Sequence, residues 1–219
     1  MKTDINNFII EQLQSSDIDK VATILTNAFH TNPAYSAIFK NKSRLKEGLF
    51  WLFKASLIMN NQKQTLTRIV KEKHSKEIVG TFTLIPPEGV KNSVSIYSKI
   101  RIGSFIVQFG LSTLFRMLSL ESKNKELLAK AIKNAEHYYL SMVVVKEEYR
   151  GYGIGSFMIK HVIDNLLCSK PACNLIGLTT QLPENVIFYS RLGFRKINDE
   201  NVTFRESEYY NCNMKHEML

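Results

Sequence analysis

The stretch YRGYGIGSFMI, residues 149–159, carries three glycines at alternate positions between two apolar segments. The segment before it, 138–145, is rich in aromatic and β-branched residues, which is typical of a central strand. The segment after it places five apolar residues on one face of a helix: Ile159, Val162, Ile163, Leu166 and Leu167. The order of strand, glycine corner and helix predicts an α/β or α+β domain built on a mixed sheet.

This glycine corner has the chemistry of an anion site. At the start of a helix the first backbone N–H groups have no intrahelical partner, and the helix dipole adds partial positive charge. Gly151, Gly153 and Gly155 have no Cβ atoms that would keep a phosphate from those groups. Arg150 adds a permanent cation. Neither the dinucleotide pattern G-x-G-x-x-G nor the P-loop pattern is present, so the corner predicts a phosphate ligand of another kind, with a ligand-free tight turn as the alternative.

The composition favours a single domain over residues 1–219. With 219 residues and 44% hydrophobic content, the chain can bury a sizeable core, and it has no low-complexity tract or proline-rich linker. Its net charge of +9 favours polyanionic partners. The basic residues are dispersed and form no run that would mark a nucleic-acid patch. A small phosphorylated ligand would exploit the same field, and charge alone does not separate the two.

Hydrophobic periodicity predicts further elements on both sides of the corner. We expect strands at 7–13, 65–70, 78–85, 174–180, 194–197 and 208–214, and helices from residue 16 or 17, at 44–60, 99–119, 123–135 and 184–192. The most apolar stretch, 102–115, is bounded by Arg101 and Arg116 and is shorter than the roughly 20 residues that a membrane span needs. We expect a buried or substrate-lining helix there and no membrane partner, with an interfacial helix as the alternative.

The cysteines and the first residues of the chain predict neither disulfides nor an export signal. Cys168, Cys173 and Cys212 are an odd number, and no apolar core of signal-peptide length stands at the start. A zinc site built from these thiols and His216 fails on geometry, because Cys212 and His216 would lie about 13 Å apart along a strand. We therefore expect no metal and a cytoplasmic protein.

Two motifs in the second half resemble a known family. Arg150, Gly153 and Gly155 form the pattern R-x-x-G-x-G after a predicted strand, and residues 185–194 have the sequence NVIFYSRLGF. Together they resemble the GNAT superfamily of acyl-CoA-dependent N-acetyltransferases. Residues 137–194 are most similar to puromycin N-acetyltransferase and its small-molecule-modifying relatives. The resemblance implies a mixed, mostly antiparallel central sheet flanked by helices, with acyl-CoA bound at a splayed strand pair in the 137–194 core.

The resemblance also assigns the residues that bind acetyl-CoA. The pantetheine arm would pair with the main chain of Val143, Val144 and Val145. The pyrophosphate would bind the corner, which comprises Arg150, Gly151, Tyr152, Gly153, Ile154, Gly155 and Ser156. Asn185 would lie beside the pantetheine, and Tyr189 would protonate the departing CoA thiolate.

The chain departs from the family at two positions. Leu182 stands where many members have an asparagine. The outward face of the fourth strand carries His137, Tyr139 and Ser141, so it has no carboxylate. His137 is therefore the candidate general base, with Glu88 or a relayed water molecule as alternatives.

The sequence thus predicts an acetyl-CoA-dependent N-acetyltransferase that moves an acetyl group directly to the primary amine of a small molecule. The 86–136 segment would cover the acceptor side as two helices. Four of its aromatic residues suggest an apolar wall there, with ordinary helix core as the alternative: Tyr97, Phe105, Phe109 and Phe115.

Two other functions stay open. One is acetylation of a macromolecular amine, on a protein or an aminoacyl-tRNA, although nucleic acid is not the expected partner. The other is a non-catalytic acyl-CoA sensor, which the missing carboxylate on the fourth strand motivates. A homodimer is an open option for assembly.

Overall fold

The computed structural model describes residues 4–39, 41–61, 66–89, 96–169, 173–205 and 207–218. The strands in these ranges are β1 (Phe8–Gln12), β2 (Thr67–Glu72), β3 (Ile78–Ile85), β4 (Tyr138–Val145), β5 (Leu175–Thr180), β6 (Arg195–Phe204) and β7 (Ser207–Glu217). The helices are α1 (Ile18–Phe29), α2 (Pro33–Ser36), α3 (Leu45–Asn60), α4 (Ile96–Phe109), α5 (Leu111–Ala131), α6 (Ile154–Ser169) and α7 (Pro183–Ser190).

The strands form one mixed, mostly antiparallel sheet. Their order is β1-β2-β3-β4-β5-β7-β6, and among the described pairs β4 and β5 alone run parallel. Helices pack on both faces of the sheet. This architecture confirms the fold class that the sequence predicted.

A hydrophobic cluster fills the space on each face. The first cluster joins α1, α3, α4 and α5 to one face, and Leu25 and Phe53 are almost fully buried in it. The second joins α6 and α7 to the opposite face, where Met158 and Ile176 are fully buried. We call these two sides the α5 face and the α6 face. Because side chains alternate along a strand, Tyr139 points to the α5 face when Leu140 packs on the α6 face.

Strands β4 and β5 separate after a short paired stretch. The described pairing consists of Tyr138 opposite Ile176 and Tyr139 opposite Gly177. Beyond Tyr139 both strands continue, and no further pair between them is found in the described ranges. The splayed strand pair that the family resemblance implied is therefore present.

A bulge in β4 lies where the two strands diverge. Thr81 of β3 pairs with Val144 and Thr83 pairs with Ser141, so two residues of β4 lie opposite one residue of β3. Met142, inside the bulge, has a φ of 52°. A bulge bends its strand and increases the twist, which turns the end of β4 away from β5.

Beyond the bulge, the main-chain groups of β4 point alternately to β3 and to the gap. The Lys146 N–H donates to Val79 O at 2.8 Å, so Lys146 faces β3. Because this direction alternates along a strand, Val144 faces β3 as well, whereas Val143 and Val145 face the gap. The gap is therefore lined on one side by main-chain polar groups that the sheet does not use.

One predicted helix boundary is wrong. We expected helices at 99–119 and 123–135, but the break is at Gly110, where φ is 84° and outside the helical region. The polar run after Leu120, which we expected to interrupt the helix, is helical. Long polar side chains favour a helix, and Glu121 pairs with Lys125, one turn later, at 2.6 Å. The two helices are bent by 111° at the break, and no single described helix is long and apolar enough to cross a membrane.

Strand β6 is longer than predicted. We expected it at 194–197, but it continues to Phe204 in a hairpin with β7. Residues 198–201, Asn-Asp-Glu-Asn, have low strand propensity, and cross-strand pairing overrides it. Side chains support this pairing, since Asn213 Nδ2 donates to Asn198 Oδ1 at 3.0 Å.

Candidate active site

The glycine corner lies between the end of β4 and the start of α6. Gly151 and Gly153 have φ values of 83° and 81°, a backbone conformation that favours glycine. A Cβ atom at either position would meet no atom within 4 Å, so this side of the corner is open. The Phe157 N–H donates to Gly153 O at 2.9 Å as the first helical bond of α6. The preceding N–H groups, of Ile154, Gly155 and Ser156, are therefore left without a partner in the helix.

The remaining residues of the corner differ in their burial and contacts. A Cβ atom on Gly155 would lie 3.0 Å from Phe188 Cζ, so glycine at this position allows α6 to pack closely on α7. Ile154 is fully buried in the α6-face cluster, whereas Tyr152 is 40% exposed. Arg150 is exposed, and its Nε donates to Val145 O at 3.3 Å. Arg150 thus links the gap to the corner.

The Glu77 carboxylate holds the turn that precedes the glycines. The Tyr149 hydroxyl donates to Glu77 Oε2 at 2.8 Å, and Lys146 pairs with the same carboxylate. The hydrogen bond to Glu77 raises the pKa of Tyr149 to about 12, and burial adds to this shift. The hydrogen bonds from Lys146 and Tyr149 lower the pKa of Glu77. Glu77, from the turn between β2 and β3, therefore fixes the loop that leads into the corner, and no sequence motif marked it.

Helix α7 begins at the far side of the gap. Thr180, the last residue of β5, accepts hydrogen bonds from Asn185 Nδ2 at 3.1 Å and from the Leu182 N–H at 3.4 Å. Leu182 is the N-cap residue and makes no side-chain cap. Asn185 is therefore turned back towards the end of β5, beside the gap, and its contact with a cofactor stays a prediction.

Three tyrosines, Tyr35, Tyr139 and Tyr189, are linked by their electrostatic effects. Tyr189 of α7 is 8% exposed, and its ring packs against Phe188 at 5.0 Å and Phe194 at 5.6 Å. Burial raises the pKa of Tyr189 well above its usual value, and Tyr139 adds to the shift. Burial likewise raises the pKa of Tyr35, again with a contribution from Tyr139. All three hydroxyl groups therefore stay protonated at neutral pH.

A carboxylate and a threonine complete this group. Glu121 of α5 raises the pKa of Tyr35 and of Tyr139, in each case after the larger effect of burial. Thr179 acts in the opposite direction and lowers the pKa of Tyr139 by hydrogen bonding, against the larger effect of burial. We call Tyr35, Glu121, Tyr139, Thr179 and Tyr189 the tyrosine cluster. The sequence predicted Tyr189 as a site residue and missed Tyr35 and Glu121, which come from distant elements and belong to no motif.

Tyr35 is held by the short helix α2. The ring packs edge-on against Phe29 at 5.6 Å and against Phe53 at 5.5 Å. Asn32 caps the helix by accepting the Ala34 N–H at 3.0 Å. The sequence Asn-Pro-Ala-Tyr, a cap followed by proline, is a signal that could have indicated this helix.

The candidate bases lie elsewhere. His137 donates from Nδ1 to Ala135 O at 3.0 Å, and its ring packs against Gly177 of β5. The charge of Glu88 helps to raise the pKa of Tyr138, after the larger effect of burial. The side chains of Tyr138 and Tyr139 point to opposite faces of the sheet. The role of His137 as general base stays a prediction.

The four aromatic residues expected on the acceptor side do not form one wall. Phe105 is fully buried and packs on Trp51 at 4.4 Å and on Phe109 at 4.9 Å, which is helix core. Phe115 is 57% exposed and faces an outer groove together with Leu118. The Tyr97 side chain lies outside the described residues.

A chain of amide side chains runs from the start of α2 to β7. The Ala34 N–H fixes Asn32 Oδ1 as an acceptor, so Asn32 Nδ2 donates to Gln181 Oε1 at 3.2 Å. Gln181 Nε2 then donates to Asn211 Oδ1 at 3.1 Å. Asn211 Nδ2, at the end of this chain, is buried without a partner. One backbone donor thus sets the orientation of three amides.

The substitution Asn32→Ala should lower the free energy of unfolding by about 2 kcal/mol, because it removes the α2 cap and leaves Gln181 Oε1 unpaired. The matched control is Asn41→Ala, which removes a cap on the exposed Ser43 N–H and should cost less than about 1 kcal/mol. Urea unfolding curves measure both losses. Equal losses in the two variants would show that the amide chain contributes nothing.

Residues 117–196 match the family model described as acetyltransferase (GNAT) domain. This stretch, a little over a third of the chain, is similar to a GNAT acetyltransferase domain. The matched region runs from α5 through β4, the glycine corner, α6, β5 and α7 to the start of β6. It therefore includes every residue that the sequence assigned to acetyl-CoA and to catalysis. The match and the fold together support the predicted class of enzyme, an N-acetyltransferase.

Solved structures share the GNAT fold over nearly the whole chain. A histone acetyltransferase-related protein from Corynebacterium glutamicum has a TM-score of 0.62 at 16% identity, and the alignment covers 97% of each chain. A putative arylalkylamine N-acetyltransferase from Aedes aegypti has a TM-score of 0.64 at 14% identity, over 97% of this chain and 88% of that one. A polyamine N-acetyltransferase from Drosophila melanogaster, which forms N-acetylagmatine, has a TM-score of 0.61 at 11% identity, over 96% and 99%.

A curated relative has a different description. A probable serine/threonine-protein kinase from Dictyostelium discoideum is 23% identical over 216 residues, which cover 90% of this chain. The chain spans 22% of the length of that relative, about a fifth. The similarity therefore concerns one part of a much longer protein.

The His, Cys, Asp and Glu side chains in the described part of the chain bear on metal binding. Within the described ranges, no group of three or more His, Cys, Asp or Glu side chains is placed to hold a metal ion. Of the three cysteines, Cys173 and Cys212 are buried and Cys168 is exposed.

Proposed function

We propose that the protein transfers an acetyl group from acetyl-CoA to the primary amine of a small molecule. The observation that carries this proposal is the gap between β4 and β5, because the glycine corner follows β4 and the helix that carries Tyr189, α7, follows β5. A thioester held along this gap would have its anionic end at the corner and its acetyl group beside Tyr189.

The gap and the corner fit the chemistry of CoA. Val143 and Val145 offer main-chain groups with which the amides of an extended arm would pair, as an added strand does. The unpaired N–H groups at the start of α6 and the guanidinium of Arg150 would bind the pyrophosphate. The contacts assigned to Tyr152 and Asn185 belong to the same proposal. The net charge of +9 favours the approach of this polyanion.

The reaction requires proton transfer at both the nitrogen and the sulfur. Acetyl-CoA supplies the acetyl group as a thioester. The ammonium form first loses one proton to solvent. The neutral amine nitrogen then attacks the thioester carbonyl carbon, a C–N bond forms, the nitrogen loses a second proton to solvent, and the C–S bond breaks with its electron pair on sulfur. The Tyr189 hydroxyl donates a hydrogen bond and a proton to that sulfur, and it is reprotonated from solvent. The net change consumes the ammonium form of the amine and acetyl-CoA, and yields an acetamide, the CoA thiol and one proton.

The raised pKa of Tyr189 makes its hydroxyl a weaker acid than an ordinary tyrosine. A hydroxyl with a raised pKa keeps its proton at neutral pH but gives it up reluctantly. Tyr189 therefore acts chiefly as a hydrogen-bond donor that stabilises negative charge on the sulfur as the C–S bond breaks. The proton follows once the thiolate has formed.

A small acceptor is favoured over a macromolecule by the structural neighbours. The structural neighbours include enzymes described as acting on arylalkylamines and polyamines. A macromolecular amine remains the second candidate, because of the positive charge of the chain and the histone acetyltransferase-related neighbour. The closeness to puromycin N-acetyltransferase stays a prediction.

Thiol release from acetyl-CoA tests this function. We expect 2-phenylethylamine, agmatine or 1,4-diaminobutane to raise the rate above that without amine, and mass spectrometry to detect the acetylated product. A lysine-rich histone-tail peptide serves as the macromolecular acceptor, and activity with the peptide alone would favour the second candidate. If no amine raises the rate while the protein binds acetyl-CoA, the protein is a sensor and the proposed function is wrong.

A further inference from the structure

One turn of 3₁₀-helix, Glu147–Tyr149, connects β4 to the glycine corner, and we call it the connecting turn. The glycines after it have an open side, because a Cβ atom at Gly151 or Gly153 would contact no described atom beyond its neighbours in the chain. The position of the corner therefore depends on the two ends of the loop. At the far end, Ile154 is fully buried in the α6-face cluster, which fixes the start of α6.

The near end of the loop is held by Glu77. Its carboxylate accepts a hydrogen bond from the Tyr149 hydroxyl at 2.8 Å and pairs with Lys146 Nζ at 2.5 Å. Lys146 precedes the connecting turn and Tyr149 ends it, so one carboxylate bonds both ends of the turn. The Tyr149 ring also packs edge-on against Phe8 of β1 at 6.3 Å. The connecting turn is thus attached to the sheet by side chains as well as by the backbone.

The backbone of Glu77 is itself well ordered. Glu77 directly precedes β3, and both of its main-chain groups are used within the turn between β2 and β3. Its N–H donates to Ser75 Oγ at 3.2 Å, and its carbonyl oxygen accepts from the Glu72 N–H at 2.9 Å. The Ser75 N–H in turn donates to Glu72 Oε2 at 2.5 Å. Because Glu77 stands on backbone that belongs to the sheet, its carboxylate can fix the connecting turn rather than follow it.

The contacts that the corner offers to a pyrophosphate come from both ends of the loop. Arg150 directly follows the connecting turn, whereas the N–H groups of Gly155 and Ser156 belong to the first turn of α6. A hydrogen bond weakens steeply when its angle departs from linear, so these groups bind one anion well only when their relative position is fixed. If the connecting turn were free to move, its ordering on binding would lower the affinity.

We propose that Glu77 is a positioning residue for the pyrophosphate of CoA, which acts through Tyr149 and Lys146 by holding the glycine corner in the orientation that binds the anion. This inference rests on the proposed function and adds to its site a residue from outside the 137–194 core. The charge of Glu77 works against this role, since a carboxylate near a polyanion weakens its binding. Loss of the charge alone would therefore tighten the binding of CoA, whereas loss of the positioning would weaken it.

The substitution Glu77→Ala tests the proposal, because these two effects have opposite signs. We expect the dissociation constant of CoA, measured by calorimetry, to rise about 10-fold, from loss of the charge-assisted hydrogen bonds that hold the connecting turn. The matched control is Glu148→Ala, which removes a carboxylate that is 61% exposed and lies 3.7 Å from Lys146 Nζ. This variant removes the same charge and leaves Tyr149 bound, so it should bind CoA as tightly as wild type or more tightly. An equal or lower dissociation constant in Glu77→Ala would overturn the proposal.

A second variant and a truncated donor distinguish positioning from general damage to the fold. Tyr149→Phe keeps the ring against Phe8 and removes the hydroxyl, so it should raise the dissociation constant of CoA by about threefold or more. S-acetylpantetheine has the thioester and the pantetheine arm but no pyrophosphate. With 2-phenylethylamine as acceptor, the ratio of kcat/KM for acetyl-CoA to that for S-acetylpantetheine should fall about 10-fold in Glu77→Ala. An unchanged ratio would show that Glu77 has only a structural role.

Binding and turnover together separate this inference from the proposed function. If wild type binds CoA about 10-fold more tightly than Glu77→Ala but no amine raises thiol release, the proposed function fails and the role of Glu77 stands. If the two proteins bind CoA equally while amines raise thiol release, the role of Glu77 is wrong and the proposed function stands. If wild type does not bind CoA, both are wrong.

Discussion

The variant Tyr189→Phe is expected to lower kcat by about 100-fold or more while the affinity for acetyl-CoA changes little. Phenylalanine keeps the packing of the ring against Phe188 and Phe194 and removes the hydroxyl that would donate to the CoA sulfur. Steady-state kinetics with thiol detection measure kcat, and calorimetry measures acetyl-CoA binding. The matched control is Tyr210→Phe, which removes a hydrogen bond to Asp199 on the hairpin of β6 and β7 and should keep kcat within about twofold.

The pH profile adds an independent check on Tyr189. The acid role requires the protonated hydroxyl, and burial raises its pKa above the ordinary value of 10.0. A raised pKa means that this group loses its proton only as the pH rises above that value. Ionisation of Tyr189 should therefore cause no loss of kcat up to about pH 9. Full turnover of Tyr189→Phe, measured where chemistry limits the rate, would show that another group stabilises the thiolate.

The variant Gly153→Val is expected to raise the dissociation constant of CoA by about 100-fold or more. A side chain at this position would enter the open side of the corner, and a φ of 81° is unfavourable for valine by roughly 1–2 kcal/mol, so the loop would shift. Both effects displace the N–H groups of α6 from the pyrophosphate, and the loss of two charge-assisted hydrogen bonds accounts for this magnitude. Calorimetry with CoA measures the change.

The chain offers a closely matched control for the backbone strain. Gly110 has a φ of 84° and open space where a Cβ would lie, but it stands at the bend between α4 and α5. Gly110→Val should therefore lose a similar amount of stability in thermal unfolding and keep its affinity for CoA. If Gly153→Val binds CoA as tightly as Gly110→Val does, the corner is not the anchor of the pyrophosphate.

The donor side of the site could be predicted because its signals are contiguous in sequence. Strands β3 and β4 occupy the predicted residues 78–85 and 138–145, since β-branched runs there end at Pro86 and at the polar turn before the glycine corner. The corner itself is one short motif, from Arg150 onward. A local pattern determines local structure, so strand, corner and helix followed from the residues alone.

The acceptor side could not be predicted in the same way. Tyr35, Glu121 and Tyr139 belong to α2, α5 and β4, which are distant in the sequence, and their electrostatic effects on one another arise only in the folded domain. The hydrophobic periodicity of the sequence does not predict which distant side chains affect one another. The break at Gly110 was missed for a related reason, because the polar run after Leu120 resembles a loop in composition while its ion pairs make it helical.

The short pairing between β4 and β5 also has a consequence for how the domain holds together. The hydrogen-bonded ladder of the sheet is nearly cut in two there, so strands β1 to β4 and strands β5 to β7 are joined mainly by the helices that cover both faces. A CoA arm lying in the gap would replace the strand pairing that is absent there. Its hydrogen bonds to β4 would then also help to hold strands β1 to β4 against strands β5 to β7. The affinity for acetyl-CoA and the free energy of unfolding of the complex would then depend on the same hydrogen bonds.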